Sequence, residues 1–202
     1  MIVVFIGPPG VGKGTQASRL ARALDVPHVA SGDLLRAARA QDTPLGHQAK
    51  VYMDRGVLAP DELVVKIVEQ RLTQPDATRG AVLDGFPRTL QQAHRLDELL
   101  ARDGKHGVDV AIVLEAARDV VLERMRARRR DDETPEVQVK RYDVYEHDTR
   151  PLLAYYKERD ILVAVDGDQP IDTVTSAIAA AVKRYAGNTA DSTTASIVQV
   201  HE

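Results

Sequence analysis

Five short apolar runs punctuate the chain: Ile2–Ile6, His28–Ala30, Ala81–Leu83, Val110–Leu114 and Ile161–Val165. The first, fourth and fifth lack polar alternation, the pattern of strands covered on both faces. Between the runs, apolar positions recur at helical spacing. Ala17, Leu20, Ala21 and Leu24 fall at i, i+3, i+4 and i+7, and Leu63, Ile67, Val68 and Leu72 nearly repeat that period. Strands alternating with helices predict an α/β fold, a parallel sheet with helices on both faces. Two stretches interrupt the alternation. One is mostly helical, from Ser31 to about Gln74; the other is the arginine-rich Arg124–Arg130, followed by Asp131-Asp132-Glu133-Thr134-Pro135-Glu136. Interruptions of this kind carry substrate-binding pieces or lids. The segment from Gly187 to Glu202 is rich in Ser, Thr, Asn and Asp and is expected to be a disordered tail. The alternative is that Ile197-Val198-Gln199-Val200 pairs as an edge strand.

Composition narrows the class. At 202 residues the chain makes one large domain or two small ones. Aromatic residues are only 4%, so the core must be built from Val, Leu, Ile and Ala. No apolar run approaches the ~20 residues that span a bilayer. Lys+Arg 27 against Asp+Glu 30 gives a net charge of −3, which argues against non-specific coating of nucleic acid or anionic membrane. The absence of cysteine excludes disulfides, thiolate metal sites and cysteine nucleophiles. The stretch Met1–Gly7 has no basic flank and runs into a glycine-rich turn. It reads as a first strand and not as a signal peptide, so a cytoplasmic location is expected.

The strongest chemical signal is Gly7-Pro8-Pro9-Gly10-Val11-Gly12-Lys13-Gly14-Thr15, between an apolar strand and an amphipathic helix. That is the context of a phosphate loop. Its glycines let backbone N–H groups turn around an anion, and the helix N-terminus adds partial positive charge. Lys13 supplies a full charge for the β and γ phosphates. The hydroxyl that usually follows the lysine as a Mg²⁺ ligand is displaced to Thr15, with Gly14 between. A bland glycine turn does not require all these spacings, and the G-x-G-x-x-G of a dinucleotide site is absent. No Asn/Thr-Lys-x-Asp run suits a GTPase, and no strand ends in Asp-Glu as a motor would need. Instead Leu83-Asp84 continues as Gly85-Phe86-Pro87-Arg88. Asp84 is placed to hold Mg²⁺ through water, and the forked guanidinium of Arg88 to take a phosphate bidentately. Ser31-Gly32-Asp33-Leu34-Leu35-Arg36 offers a hydroxyl, a carboxylate and another arginine after the second strand. Two arginines at the ends of separate strands beside a phosphate loop point to a second anion site.

These three motifs together resemble the nucleoside monophosphate kinase family, most closely its bacterial adenylate kinases, from Met1 to about Tyr185. The resemblance implies a phosphate-loop α/β core with a five-stranded parallel sheet, a helical segment for the nucleoside monophosphate (NMP) and a short lid. It implies one domain over 1–186, with core at 1–30, 60–124 and 141–186, NMP segment 31–59 and lid 125–140; 187–202 is the tail. The implied reaction is MgATP + AMP ⇌ 2 ADP in a monomer, with Mg²⁺ arriving with ATP and no zinc. Carried over by position, Gly10, Val11, Gly12, Lys13, Gly14 and Thr15 hold the ATP phosphates. Arg124 stacks on the ATP adenine, Arg128 contacts its phosphates, and the backbone of Gly167 to Gln169 touches its base. Ser31, Arg36, the backbone of Val57, Leu58 and Ala59, Gly85, Phe86, Pro87, Arg88 and Gln92 hold AMP, with the Gln92 amide reading the adenine edge. Arg130 and Arg141 clamp phosphates from the lid side. Lys13, Arg88, Arg128, Arg130 and Arg141 are the expected catalytic cations, and Thr15 and Asp84 the Mg²⁺ side.

The chain departs from the family pattern at the lid. Ala127 stands where a glycine usually precedes the lid arginine, and Arg129 where short-lid members often have glycine. An ungapped match puts Arg130 on the clamp, while a register one residue earlier puts Arg129 there. Arg126 and one of Arg129 or Arg130 are expected to be solvated. The six histidines share no metal-ligand spacing and are assigned structural or surface roles. Tyr155-Tyr156 read as core, and Asp61-Glu62 as an acidic helix start. The competing functions are a UMP/CMP kinase, which shares all three motifs, and a nucleotide-binding regulatory module without turnover.

Overall fold

In the computed structural model, the described residues are 1–40, 43–104, 106–128 and 134–195. The five expected strands form: β1 (Ile2–Ile6), β2 (His28–Ala30), β3 (Ala81–Asp84), β4 (Val110–Glu115) and β5 (Leu162–Asp166). Among the described residues they alternate with helices α1 (Lys13–Leu24), α2 (Ser31–Ala40), α3 (Pro44–Asp54), α4 (Asp61–Leu72), α5 (Leu90–Arg102), α6 (Arg118–Ala127), α7 (Pro135–Val144), α8 (Leu152–Lys157) and α9 (Ile171–Ala195). The strand order is β2-β3-β1-β4-β5, every pairing parallel.

β1 lies at the centre, and all five of its residues are buried. Its side chains alternate between two cores even though none is polar. Ile2, Val4 and Ile6 pack with Ile67 and Val68 of α4, Leu96 and Leu100 of α5 and Leu152 of α8. Val3 and Phe5 pack with Leu20 and Ala21 of α1, Val121 and Met125 of α6 and Ile178 of α9. An apolar run without alternation is therefore what a central strand between two helical layers requires. Each fully buried Val, Ile or Phe contributes roughly 1.5–3 kcal/mol.

Polar bonds tie the layers. Gln16 is buried; its Nε2 donates to the Ile171 carbonyl at 2.9 Å and its Oε1 accepts from the Thr175 hydroxyl at 2.8 Å. These bonds fix α9 on α1. The helix α9 continues past residue 187, where the composition argued for a tail, to Ala195, the last described residue. The segment Ile197–Val200 lies outside the described residues.

Tyr156 packs as core, at 0% exposure, but its hydroxyl is buried with no hydrogen-bond partner among the described residues. Burial pushes the phenol's pKa upward. Tyr156→Phe removes that unpaired group and is expected to stabilise the fold by about 1 kcal/mol. Thermal unfolding checks this: Tm should rise by about 2–4 °C, and a fall of that size would contradict the buried orphan.

Candidate active site

Parallel strands bring their C-terminal ends, and the loops that follow them, to one edge of the sheet. Ligands bind there where neighbouring strands lead their connections to opposite sides. The order β3-β1-β4 makes such a point at β1. Phe5 near the end of β1 pairs with Asp84 at the end of β3, so the phosphate loop and the Asp84–Arg88 turn emerge side by side.

The loop folds as its glycines predict. Gly10 has φ +90°, and a Cβ there would stand 2.7 Å from the Met125 side chain and 2.8 Å from the Val121 carbonyl. Only glycine fits that close approach to α6. α1 begins immediately after Gly12 and aims its N-terminus at the cavity. Lys13 Nζ donates to the Gly7 and Pro8 carbonyls at 2.7 and 2.8 Å, which holds its charge over the loop.

The second anion site forms around one carbonyl. Gly85 O accepts the Ser31 hydroxyl at 2.5 Å and Arg88 Nε at 2.8 Å. That joins the start of α2 to the turn after β3 and fixes the Arg88 fork. Arg36 is paired with Asp33 one helical turn back. The Phe86–Pro87 peptide is cis. Thr89 caps α5, its hydroxyl accepting the Gln92 N–H at 3.1 Å.

Both anion sites open into one cavity of about 660 Å³, within the range of ligand clefts. Lys13, Arg36, Arg88, Arg124, Arg128 and Arg141 all line it, against the acids Asp33 and Asp84. So do Gly10, Gly12, Gly14, Thr15 and Ser31, along with Val57, Leu58 and Ala59, and Gly85, Pro87 and Gln92. Most of the residues singled out from the sequence are thus brought together. Val11, Phe86 and the Gly167–Gln169 loop are not on the wall. Val11 and Phe86 are buried in the two cores, at 2% and 1% exposure, which leaves them only backbone groups to offer. Gln169 is exposed, its Nε2 donating to Asp166 at 2.8 Å. Arg129 and Arg130 lie outside the described residues, as does the choice of register between them. Arg126 is exposed, as expected of a solvated arginine.

The roof comes from two segments. Arg141 Nη2 donates to the Met53 carbonyl at 3.3 Å, and a Cβ on Gly56 would lie 3.1 Å from the Val137 carbonyl. α7 and the chain after α3 therefore meet over the cavity. Arg124 reaches the other way: its Nη1 donates to the Gly167 carbonyl at 2.7 Å and its Nη2 to Asp168 at 3.0 Å. It ties α6 to the loop after β5.

Asp84 sits beneath this cationic shell. Burial raises its pKa, but His28, whose Nε2 lies 3.5 Å from Oδ2, together with Lys13 and Arg88, outweighs burial and holds the carboxyl below its ordinary value. Its Oδ2 would be 3.3 Å from a Cβ on Gly14, so an ionised oxygen overlies the start of α1. Carboxylate and hydroxyl oxygens, with room for water, suit Mg²⁺; among the described residues no cluster of His, Cys, Asp or Glu suits a metal held by protein alone.

Several cavity residues had no signal in the sequence. His28 faces Asp84, its Nε2 3.5 Å from Oδ2, a role its spacing did not suggest. Tyr145 and Thr149 enter the wall from a π-helical turn at Tyr145–Thr149. Burial pushes the Tyr145 phenol up to about 12, so it faces the cavity as a neutral hydroxyl. Asp61 does start α4, but it also bonds Thr89 and Gln92.

Comparison with known proteins agrees with this geometry. The family model described as Adenylate kinase matches residues 5–161. The chain is 49% identical over 173 residues to Adenylate kinase 1 of Nostoc sp., covering 86% of this chain and 94% of that protein. It is 45% identical over 181 residues to Adenylate kinase 1 of Synechocystis sp., covering 90% and 96%, and 43% identical over 186 residues to the adenylate kinase of Xylella fastidiosa, covering 90% and 99%. Identity at this level along nearly the whole length of each relative, with both phosphate-binding turns included, means that the chain belongs to the adenylate kinase family.

Proposed function

We propose that the protein is an ATP:AMP phosphotransferase, interconverting MgATP and AMP with two ADP. The observation that carries this reading is the single cavity whose cations come from the phosphate loop at one end and from Arg36 and Arg88 at the other, with Arg128 and Arg141 also on its wall. One loop alone would bind a triphosphate; the second cluster gives a monophosphate a place to face it.

Transfer is a displacement at the γ phosphorus. An oxygen of the AMP phosphate forms a bond to it, and the bond to the β–γ bridging oxygen breaks, leaving ADP on both sides. No general base is needed, because a phosphate monoester is already ionised near pH 7. The protein's work is positioning and charge stabilisation. Lys13 and Arg128 act on the ATP phosphates, Arg88 and Arg36 on the AMP phosphate, and Arg141, with Arg130, on the group in flight. Thr15 and Asp84 would hold Mg²⁺ through oxygen and water; the ion supplies further charge neutralisation on the ATP phosphates. Segments 31–59 and 125–140 close over the substrates and exclude water, which otherwise would take the phosphoryl group. The close approach of Val137 to Gly56 supports a meeting of these two segments. We take the enzyme to act in the cytoplasm as a monomer, as the resemblance to its family implies; no helix among the described residues is long and apolar enough to cross a membrane.

A coupled assay of ADP formation with AMP, CMP and UMP at fixed MgATP tests the reading. Preferred turnover of AMP is expected. Preferred turnover of CMP or UMP would reassign the substrate, and binding without ADP formation would reduce the protein to a nucleotide-binding module.

A further inference from the structure

Gln92 is 1% exposed and lines the cavity, yet its side-chain amide is already bonded on both sides. Its Oε1 accepts the Arg88 backbone N–H at 2.8 Å, and its Nε2 donates to Asp61 Oδ1 at 2.7 Å. The other oxygen of Asp61 accepts the Thr89 hydroxyl at 2.8 Å. A backbone N–H only donates and a carboxylate only accepts. The amide therefore has one permitted orientation. Turned over, it would set donor against donor at Arg88 and acceptor against acceptor at Asp61. A primary amide has two N–H donors and two acceptor lone pairs, so one of each is left for a ligand, and which lies where is decided by these two partners.

We infer that Asp61 is a specificity-positioning residue: by locking the Gln92 amide it selects bases that present an amino donor beside a ring-nitrogen acceptor and rejects those that present a carbonyl beside a ring N–H. This rests on the reading of Gln92 as the group that meets the monophosphate's base. A 6-aminopurine has the accepted edge, and a 6-oxopurine of the same size has the reverse. Cytosine presents the same donor–acceptor pair as adenine, so the lock does nothing to separate AMP from CMP; cavity size must do that. A buried polar pair that cannot reorient leaves unpaired groups against the wrong base, which is where strong discrimination arises.

The test compares kcat/KM for AMP, IMP and CMP at saturating MgATP. Asp61→Ala removes the acceptor that holds Gln92 Nε2 and offers no polar group in its place. The AMP-over-IMP preference is expected to fall by about tenfold, the equivalent of one charge-assisted hydrogen bond, while the AMP-over-CMP ratio stays as in the wild type. Asp61→Ser, which suits a helix start and whose hydroxyl both donates and accepts, should relax the preference in the same direction and serves if the first variant does not fold. Glu62→Gln removes a neighbouring acidic charge from the same helical turn without touching Gln92, and should leave both ratios unchanged. Gln92→Ala separates the two layers of the inference. If it abolishes the AMP-over-IMP preference while both Asp61 variants keep it, the positioning role of Asp61 is wrong and the reading of Gln92 stands. If Gln92→Ala itself keeps the wild-type preference, the base is read elsewhere and both fail.

Discussion

Lys13→Ala should lower kcat/KM for ADP formation by about 10³-fold or more while leaving the protein folded. Lys13 is the full positive charge of the phosphate loop, held above it by two backbone carbonyls at 2.7 and 2.8 Å. Phosphoryl transfer leaves little covalent work to the protein, so the cations around the transferring group supply most of the barrier reduction. Removing one preorganised donor from such a site costs about 10²–10³ in rate, and a mobile full charge on the β and γ phosphates stands at or above the top of that range. The structural cost is small, since the lysine bonds carbonyls at a cavity wall and packs into neither core. Steady-state kinetics with thermal unfolding checks both halves: activity near background, and Tm within about 2–4 °C of the wild type. A purified variant with full activity would remove the phosphate loop from the mechanism.

Arg88→Ala should slow transfer by roughly 10²-fold or more. Arg88 projects from the turn after β3, with Nε anchored on the Gly85 carbonyl at 2.8 Å, so its fork is oriented before substrate arrives. A charge-assisted hydrogen bond contributes about 1.5–3 kcal/mol, and a bidentate guanidinium–phosphate contact makes two. Each 1.36 kcal/mol is tenfold in rate. Because Arg88 lies on the monophosphate side, its loss should raise KM for AMP and lower kcat, with KM for ATP little changed. Near-normal kcat/KM for AMP would show that Arg88 is not at the reacting phosphate. Arg88→Lys should recover only part of the rate, because an ammonium cannot reproduce the planar fork.

What could be read in the chain and what could not divide along a physical line. The strand–turn–helix around Gly7–Thr15 is a local unit: run, glycines, lysine and helix period are contiguous, so the sheet edge and the phosphate loop are both legible. The same holds for the turn after β3, where Asp84 to Arg88 carries its function in five consecutive residues. The five apolar runs locate the strands within a residue or so. For the interior strands β3, β1 and β4 this is because a strand covered on both faces has little freedom of pattern, whereas β5, expected to be covered on both faces, lies at the sheet edge and is only partly buried. Asp61 is different. Its spacing signals a helix start, which it is, but its bonds to Thr89 and Gln92 join positions about thirty residues apart that meet only when α4 packs beside α5. His28 likewise becomes a neighbour of Asp84 only through the pairing of β2 with β3, where Ala30 lies beside Asp84. Tyr145 and Thr149 reach the cavity because the helix locally widens to π geometry after Val144, and no local pattern announces it. Past residue 187 composition and backbone point different ways: Asn188, Thr189, Asp191, Ser192, Thr193 and Thr194 are weak helix formers, while the helix runs on to Ala195 from a part docked on α1.

The most direct measurement is calorimetric titration with two adenosines joined through five phosphates, a molecule that occupies both halves of the cavity at once. Joining the two ligands makes the second binding event intramolecular. The expected result is one molecule bound per chain, far more tightly than ATP or AMP alone, with competitive loss of binding for both. Two molecules bound per chain, or AMP still binding beside the analogue, would contradict a single cavity in which the two nucleotides meet phosphate to phosphate.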